Sequence, residues 1–262
     1  MSTQESNDTD AAKTNYRSRW GRFSPAMGWK AFWSEIVIVV LGVMIALAAN
    51  EAVQNWNWNN KVQDGEIRLR EDMDYVFSLA AEQVVTAPCV DAQLSALSQN
   101  LMQSEKVLNP ATIHTEGLRR FVVRLPNRTN RFTVWNSLLA DGTATRFSQH
   151  RQNIYGNISE SVNRARTAND EANRLGSRLL ALGYPMALSD DARRSFLVDI
   201  EEMRARVAMN EIGSRQRLQL FAEIGSARAA EGVEAYLDES GSVKFCKEKG
   251  FPLADWRDAL KP

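Results

Sequence analysis

Histidine and cysteine are scarce in this chain of 262 residues, which has two of each. His114, His150, Cys89 and Cys246 lie far apart and form no C-x-x-C pair, whereas zinc needs ligands clustered at short helix or loop spacing. A glycine-rich phosphate loop, a dinucleotide-binding fingerprint and a nucleophile elbow are also missing from the sequence. We therefore predict that the chain binds no metal ion or cofactor and that it is not an enzyme.

A net charge of either sign is missing as well, since 32 lysines and arginines balance 32 aspartates and glutamates. Proteins dedicated to nucleic acids usually carry a basic excess, so we predict no nucleic-acid partner. Adjacent carboxylates occur at Asp190–Asp191 and Glu201–Glu202. Neighbouring residues on a helix point apart, so these pairs do not indicate acid–base catalysis.

Long apolar runs are absent with one exception, which extends from Ile36 to Ala49 without a polar side chain. Trp33 and Trp56 flank this run, and a helix at ~1.5 Å per residue separates them by about 35 Å, close to the ~30 Å hydrocarbon core with its margins. Tryptophan prefers the headgroup level. We predict a transmembrane helix over residues 29–58, with the lipid bilayer as its partner. A cleaved signal peptide ending near residues 46–48 and a buried helix of a soluble protein are the alternatives.

Two further features concern the predicted span. Gly42 and Ala46 form a small-xxx-small face that could bring two anchors together, with a plain lipid-facing glycine as the alternative. Basic residues before the span are Arg17, Arg19, Arg22 and Lys30, and those after it are Lys61 and Arg68. By the positive-inside rule this bias predicts a cytoplasmic, disordered tail over residues 1–28 and an extracytoplasmic helical domain over residues 59–262.

Proline is rare, and none occurs between Pro25 and Pro88. Beyond the span, apolar residues recur at three-, four- and seven-residue spacing. We therefore predict one helix from about Trp29 to Val85 and a second helix that starts at Pro88. A short third helix is predicted over residues 115–125.

The second half of the chain also has helical periodicity. A long helix is predicted from about Phe147 to Leu179, ended by a glycine–tyrosine–proline stop. Ser189 is expected to N-cap the next helix, which we predict to last to about Ala230. Residues 243–245 are predicted to be at most a short extended piece, and the tail after Gly250 has enough apolar residues to dock onto the bundle. The predicted fold is all-α, with one N-terminal transmembrane helix that continues into an up-and-down helical bundle.

Cys89 and Cys246 could pair in an oxidising compartment, whereas in a reducing one they would remain two separate buried thiols. If residues 59–262 are extracytoplasmic, we predict a disulfide between them. This bond would tie the segment after the last long helix back onto the bundle.

Five arginines lie close together around Pro126, namely Arg119, Arg120, Arg124, Arg128 and Arg131. Guanidinium groups bind carboxylates, phosphates and lipid headgroups, so this segment is a candidate anion-binding site. A solvated face beside a loop is the alternative, since exposed arginines are common.

The stretch Ser34–Asn50, followed by Asn55-Trp56-Asn57, resembles the N-terminal signature of an uncharacterised bacterial family of small membrane proteins. That family has Gly-Glu-Ile, an aliphatic run with one glycine, Ile-Ala-Leu, an asparagine and Asn-Trp-Asn. Here Ser34 stands in place of the first glycine, and three additional residues precede Asn55. A second pattern of the same family is similar to Trp135, Leu138, Gly142 and Tyr155. The resemblance implies a single-pass, helical, membrane-anchored protein and assigns no activity or catalytic residue.

Together these features predict a protein of the bacterial inner membrane, with its N-terminus in the cytoplasm and its C-terminal domain in the periplasm. We expect an interaction or scaffold module of the cell envelope, whose partners are other envelope proteins or further copies of the chain. The alternative function is a ligand-sensing helical bundle that uses the arginine-rich segment as its pocket.

Overall fold

The computed structural model describes residues 29–126, 128–223 and 227–261. The predicted tail over residues 1–28, with three of the four basic residues before the span, lies outside this described part. The described chain is all-α, as predicted, apart from one short β-hairpin. It divides into two units after Trp56, close to residue 58, where the sequence predicted the span to end.

The described elements follow one another in a simple order. The first helix, α1, covers Trp29–Gln103 and contributes residues to both units. It is followed by strands β1 (His114–Glu116) and β2 (Arg119–Phe121) and by helices α2 (Thr133–Ala140), α3 (Gln149–Leu179), α4 (Asp190–Glu223), α5 (Ala227–Glu239) and α6 (Gly241–Lys249). Short 3-10 turns cover Thr143–Arg146, Leu180–Gly183 and Trp256–Leu260.

The first unit contains the apolar part of α1. Every side chain that the structure describes between residues 29 and 56 is exposed. Nine large apolar side chains between Val37 and Leu47 are each more than half exposed. Within the described chain, α1 is the one helix that is long and apolar enough to cross a membrane.

Pro88 lies inside α1, so the predicted helix boundary near Val85 was wrong. Proline has no N–H, which leaves the carbonyl group four residues earlier, that of Val84, without its helical donor. Next to this break, the carbonyl oxygen of Val85 accepts a hydrogen bond from the backbone N–H of Ala254 at 3.0 Å. This hydrogen bond attaches the C-terminal segment to α1 beside the proline, and local sequence gives no sign of that contact.

Residues 114–121 form an antiparallel hairpin, so the helix predicted over residues 115–125 was wrong. His114 pairs with Phe121 and Glu116 pairs with Arg119, which leaves a two-residue turn that begins with Gly117. The φ angle of Gly117 is +58°, a conformation that glycine adopts at little cost and that tight hairpin turns require. Strands of three residues are too short for an alternating pattern to be recognised in the sequence.

Helix α6 covers residues 243–245, which the sequence predicted to be at most extended. Its ends carry ordinary capping residues. The hydroxyl oxygen of Ser240 accepts a hydrogen bond from the N–H of Val243 at 3.2 Å, and Gly250 follows the last turn with a φ of +68°. A helix of nine residues has too few turns for apolar periodicity to predict it, so only its caps could have indicated it.

The core of the second unit consists of two apolar clusters along α1. The first packs residues 69–85 of α1 against Trp135 and Tyr155, whose ring centroids lie 5.3 Å apart. The tail docks onto this cluster as predicted, with the Trp256 ring centroid 5.6 Å from that of Phe77. The second cluster packs residues 90–101 of α1 against the C-terminal end of α3 and the N-terminal half of α4.

Helices α3 and α4 pack antiparallel. Arg178, at the C-terminal end of α3, forms an ion pair with Asp199 in the first half of α4 at 2.8 Å. Arg217, near the end of α4, donates a hydrogen bond to the carbonyl oxygen of Ser161 in the first half of α3 at 3.1 Å. This pair of long helices agrees with the predicted up-and-down arrangement.

Candidate anion-binding site

Arg119, Arg120 and Arg124 line one cavity of about 260 Å³, which we name the hairpin pocket. One wall consists of β2 and the residues that follow it, and the other is the C-terminal half of α3. Helix α3 contributes the amide of Asn173 and the hydroxyl of Ser177. The pocket therefore combines three guanidinium groups with two neutral hydrogen-bonding side chains.

The other two arginines of the predicted site lie against tyrosine rings elsewhere in the unit. The guanidinium of Arg131 is 5.1 Å from the ring centroid of Tyr75, and that of Arg128 is 5.9 Å from the centroid of Tyr236. Neither residue lines the hairpin pocket. The candidate site thus contains three of the five arginines that the sequence grouped together.

The backbone of Arg124 is held in place by Gln93 of α1. The N–H of Arg124 donates to the Gln93 side-chain oxygen at 2.7 Å. The Gln93 amide nitrogen donates in turn to the carbonyl oxygens of Arg124 at 3.4 Å and of Cys89 at 3.3 Å. One side chain therefore connects the wall of the hairpin pocket to the turn of α1 that carries the disulfide.

The charge of Arg124 is balanced by Glu116 on the opposite strand. Two guanidinium nitrogens contact the two carboxylate oxygens, with Nη2 and Oε1 2.9 Å apart, and the Arg124 side chain is 13 % exposed. A Cβ atom on Gly241 would lie 2.8 Å from Nη2 of Arg124 and 2.9 Å from Oε1 of Glu116, so glycine at this position leaves room for the pair. Such two-point pairs are strong and directional. Arg124 therefore lines the wall of the hairpin pocket as a fixed, charge-paired side chain.

Arg119 and Arg120 are exposed at the rim of the hairpin pocket. The Arg120 guanidinium lies 5.6 Å from the ring centroid of Tyr184, a contact that orients its plane. Guanidinium groups bind oxyanions through paired, charge-assisted hydrogen bonds, so a phosphate monoester is an anion suited to these side chains.

His114 lies at the base of the hairpin between aromatic rings. Its ring centroid is 5.7 Å from that of Phe121 and 5.0 Å from that of Phe245. Burial, and then the positive charge of Lys249, lower the pKa of His114 below its usual value. The imidazole is therefore neutral near pH 7 and packs as an aromatic group. Within residues 29–126, 128–223 and 227–261, no group of three or more His, Cys, Asp or Glu side chains could hold a metal ion.

Cys89 of α1 and Cys246 of α6 form the predicted disulfide. Their sulfur atoms lie 2.04 Å apart and their Cα atoms 6.0 Å apart. Both residues are buried. The bond joins two segments separated by 157 positions and closes the second unit on itself.

Sequence reasoning missed a buried carboxylate, that of Glu82 in α1, which is 1 % exposed. Glu82 accepts a hydrogen bond from the hydroxyl of Ser240 at 2.5 Å and another from the hydroxyl of Tyr236 at 3.1 Å. Burial, and then the negative charge of Glu82, raise the pKa of Tyr236. Both donors follow more than 150 positions later, so no local signal distinguished Glu82 from an exposed glutamate.

No family model, no curated protein and no solved structure matches the chain. The resemblance of residues 34–57 to the uncharacterised membrane family therefore stays a prediction.

Proposed function

We propose that the chain is a single-pass protein of the bacterial inner membrane, whose helical domain in the periplasm binds other envelope proteins or further copies of itself. The observation that carries the membrane part is the exposure of α1. For each of the nine large apolar side chains between Val37 and Leu47, transfer from water to lipid is favourable by about 1 kcal/mol or more of free energy. Their sum is on the order of 10 kcal/mol, comparable to the stability of a whole domain.

Two observations support a periplasmic position of the domain. Disulfides persist in oxidising compartments such as the bacterial periplasm, and the second unit contains the Cys89–Cys246 bond. Basic residues are also more numerous before the span than after it, which favours a cytoplasmic N-terminus.

The self-association part of the proposal is supported by Gly42 and Ala46. A Cβ atom on Gly42 would meet no other atom within 4 Å, and Ala46 is exposed. This small-residue face is therefore free to approach a second helix closely within the bilayer.

Crosslinking in native membranes, followed by identification of the crosslinked chains, tests the interaction function. We expect a crosslinked product that contains the chain and either a second copy or another envelope protein. Gly42→Ile should reduce a product formed between two copies, whereas Val37→Ile, on the opposite face of the same exposed run, should not. Failure to recover any crosslinked product from membranes that contain the chain would contradict the proposal.

Ligand sensing through the hairpin pocket is a second candidate function, and the convergence of Arg119, Arg120 and Arg124 favours it. Glycerol 3-phosphate and inorganic phosphate are suitable probes, with acetate as a monoanionic comparison. We expect Arg120→Met to weaken phosphate binding, and Arg131→Met, which removes a charge outside the pocket, to leave it unchanged. Equal losses in both variants would indicate general charge attraction and contradict a specific pocket.

A further inference from the structure

A second, larger cavity of about 700 Å³ lies along the antiparallel pair of α3 and α4 and is unrelated to the predicted arginine segment. We name it the α3–α4 cavity. Its apolar lining includes Ala165 and Ala168 of α3 and Met209, Ile212 and Gly213 of α4. Met209 is 66 % exposed and Ile212 is 51 % exposed, so two large apolar side chains stand at its rim without a protein cover.

Two of the three arginines that line this cavity are paired with carboxylates. Arg164 is paired with Glu160 at 2.6 Å, and Arg206 is paired with Glu171 at 2.9 Å and with Glu202 at 3.5 Å. The third arginine of the lining is Arg217.

Arg217 is buried, with 3 % of its surface exposed, and forms no ion pair with any Asp or Glu that the structure describes. Its described partners are neutral: the carbonyl and hydroxyl oxygens of Ser161, both at 3.1 Å, and the hydroxyl oxygen of Ser214 at 2.6 Å. Burial, and then the positive charge of Arg164, lower the pKa of Arg217 to about 10. Guanidinium has five N–H donors, and a buried cation is unfavourable unless an anion or enough acceptors compensate it.

We propose that the α3–α4 cavity binds a single-chain carboxylate, whose head group pairs with Arg217 and whose hydrocarbon chain lies against Met209 and Ile212. A carboxylate supplies the negative charge that Arg217 lacks among its described partners and can accept two parallel hydrogen bonds from the guanidinium. The apolar rim gives the chain a surface that is otherwise exposed to water. The hairpin pocket uses residues 173–177 of α3 and Leu180 of the following 3-10 turn, whereas this cavity uses residues 160–171 of α3, so the two sites have no residue of this segment in common.

Octanoate is the probe that tests this inference, because it joins a carboxylate to a single hydrocarbon chain and remains soluble. Binding of radiolabelled octanoate is measured by equilibrium dialysis at pH 7 with the full chain in phosphatidylcholine nanodiscs, and empty nanodiscs give the lipid background. We expect saturable binding of one octanoate per chain. Unlabelled octanoate should compete, whereas octan-1-ol and octylammonium should compete at least tenfold less well, because neither carries the negative charge.

Two variants separate the cavity from its surroundings. Arg217→Met should weaken octanoate binding at least tenfold, whereas Arg215→Met should leave it within twofold, since Arg215 is on the same helix, pairs with Glu211 and does not line the cavity. Gly213→Leu keeps the cation and places a bulky side chain beside it in the cavity. An added Cβ there would meet only the Arg217 guanidinium, at 4.0 Å, so this variant should fold and lose saturable binding.

Several outcomes would overturn the inference. These are the absence of saturable octanoate binding to the wild-type chain, equal competition by octan-1-ol or by inorganic phosphate, and equal losses in the Arg217→Met and Arg215→Met variants. If Arg217→Met does not fold, Gly213→Leu decides the question, because unchanged octanoate binding in that variant would place the ligand elsewhere.

Discussion

Removing either cysteine should destabilise the second unit strongly, and removing both should cost no more than removing one. In the chain-entropy description, a cross-link lowers the entropy of the unfolded chain in proportion to the logarithm of the loop it closes. For a separation of 157 positions this amounts to about 5 kcal/mol at 25 °C. A change of 1 kcal/mol shifts the melting temperature of a domain of this size by about 2–4 °C, so we expect a fall of about 10–20 °C.

The remaining contacts of the C-terminal segment decide whether the variants still fold. Glu82 holds Ser240 at the start of α6, and the backbone of Val85 holds Ala254. Trp256 is buried in the first apolar cluster. These contacts survive the loss of the bond, so we expect a folded but less stable unit in place of an unfolded chain.

The assay is thermal unfolding of Cys89→Ala, Cys246→Ala and the double variant, with circular dichroism as the signal that reports loss of helix. Wild-type protein that has been unfolded, reduced and refolded under reducing conditions is the matched control, because it keeps both sulfur atoms and lacks only the cross-link. Its melting temperature should lie close to those of the three variants. Additive effects of the two single changes would show that each cysteine acts through its own packing, and would refute the reasoning. So would reduced protein as stable as the oxidised form.

Three further predictions follow from named contacts. Met44→Arg, at the centre of the apolar run, should lower the fraction of the protein that stays in the membrane after carbonate extraction, because a central charge costs about 2.5–3.5 kcal/mol in a membrane helix. Val53→Arg, near the end of the run, should have a smaller effect, and equal extraction of the two variants would contradict a membrane span. Gly183→Ala should lower the free energy of unfolding by about 1–3 kcal/mol, since its Cβ would overlap an isoleucine side chain. Gly156→Ala lies in the interior of α3 with open space around the new Cβ, so it should raise the free energy of unfolding by about 0.5–1 kcal/mol. Tyr236 has a raised pKa in the folded state, so its contribution to stability is present below pH ~10, the unfolded pKa of tyrosine, and is lost as the pH rises above that value. Tyr236→Phe should therefore make the melting temperature fall less steeply above pH ~10. An unchanged slope would contradict this prediction.

The sequence alone indicated the elements whose signals are local. An uninterrupted apolar run between tryptophans predicted the exposed part of α1, and the antiparallel α3 and α4 agree with the predicted long helices. Ser189 accepts a hydrogen bond from the N–H of Ala192 at 3.1 Å, as its position before α4 predicted. Such signals succeed because a cap or an apolar period acts within a few residues of the backbone it controls. The pairing of Cys89 with Cys246 was predicted on the condition that the domain is extracytoplasmic, because a chain with two cysteines allows one internal disulfide or none.

Tertiary contacts decided the features that depend on residues distant in sequence. Pro88 lies inside a continuous helix that the C-terminal segment contacts next to the proline, through the hydrogen bond from Ala254 to Val85. The N-terminus of α2 has no cap of its own and is capped from α1, where the Asp72 carboxylate accepts the N–H groups of Thr133 and Val134 at 3.0 Å each. These partners lie tens to more than a hundred positions away, so no window of local sequence contains both halves of the contact.

The candidate sites show the same division. Five neighbouring arginines in the sequence indicated an anion site, but the turn at Gly117 and the path of the chain after Pro126 decided that only three of them line the hairpin pocket. Nothing in the local sequence indicated that Arg217 is buried, because an arginine in a helix is usually exposed. It is a buried cation because α3 packs over it, and α3 supplies the neutral oxygens of Ser161 in place of a carboxylate. Burial of a side chain depends on the partner helix as much as on the residue. Composition and spacing therefore predicted the two helices, whereas their packing alone decided that Arg217 is buried with neutral partners.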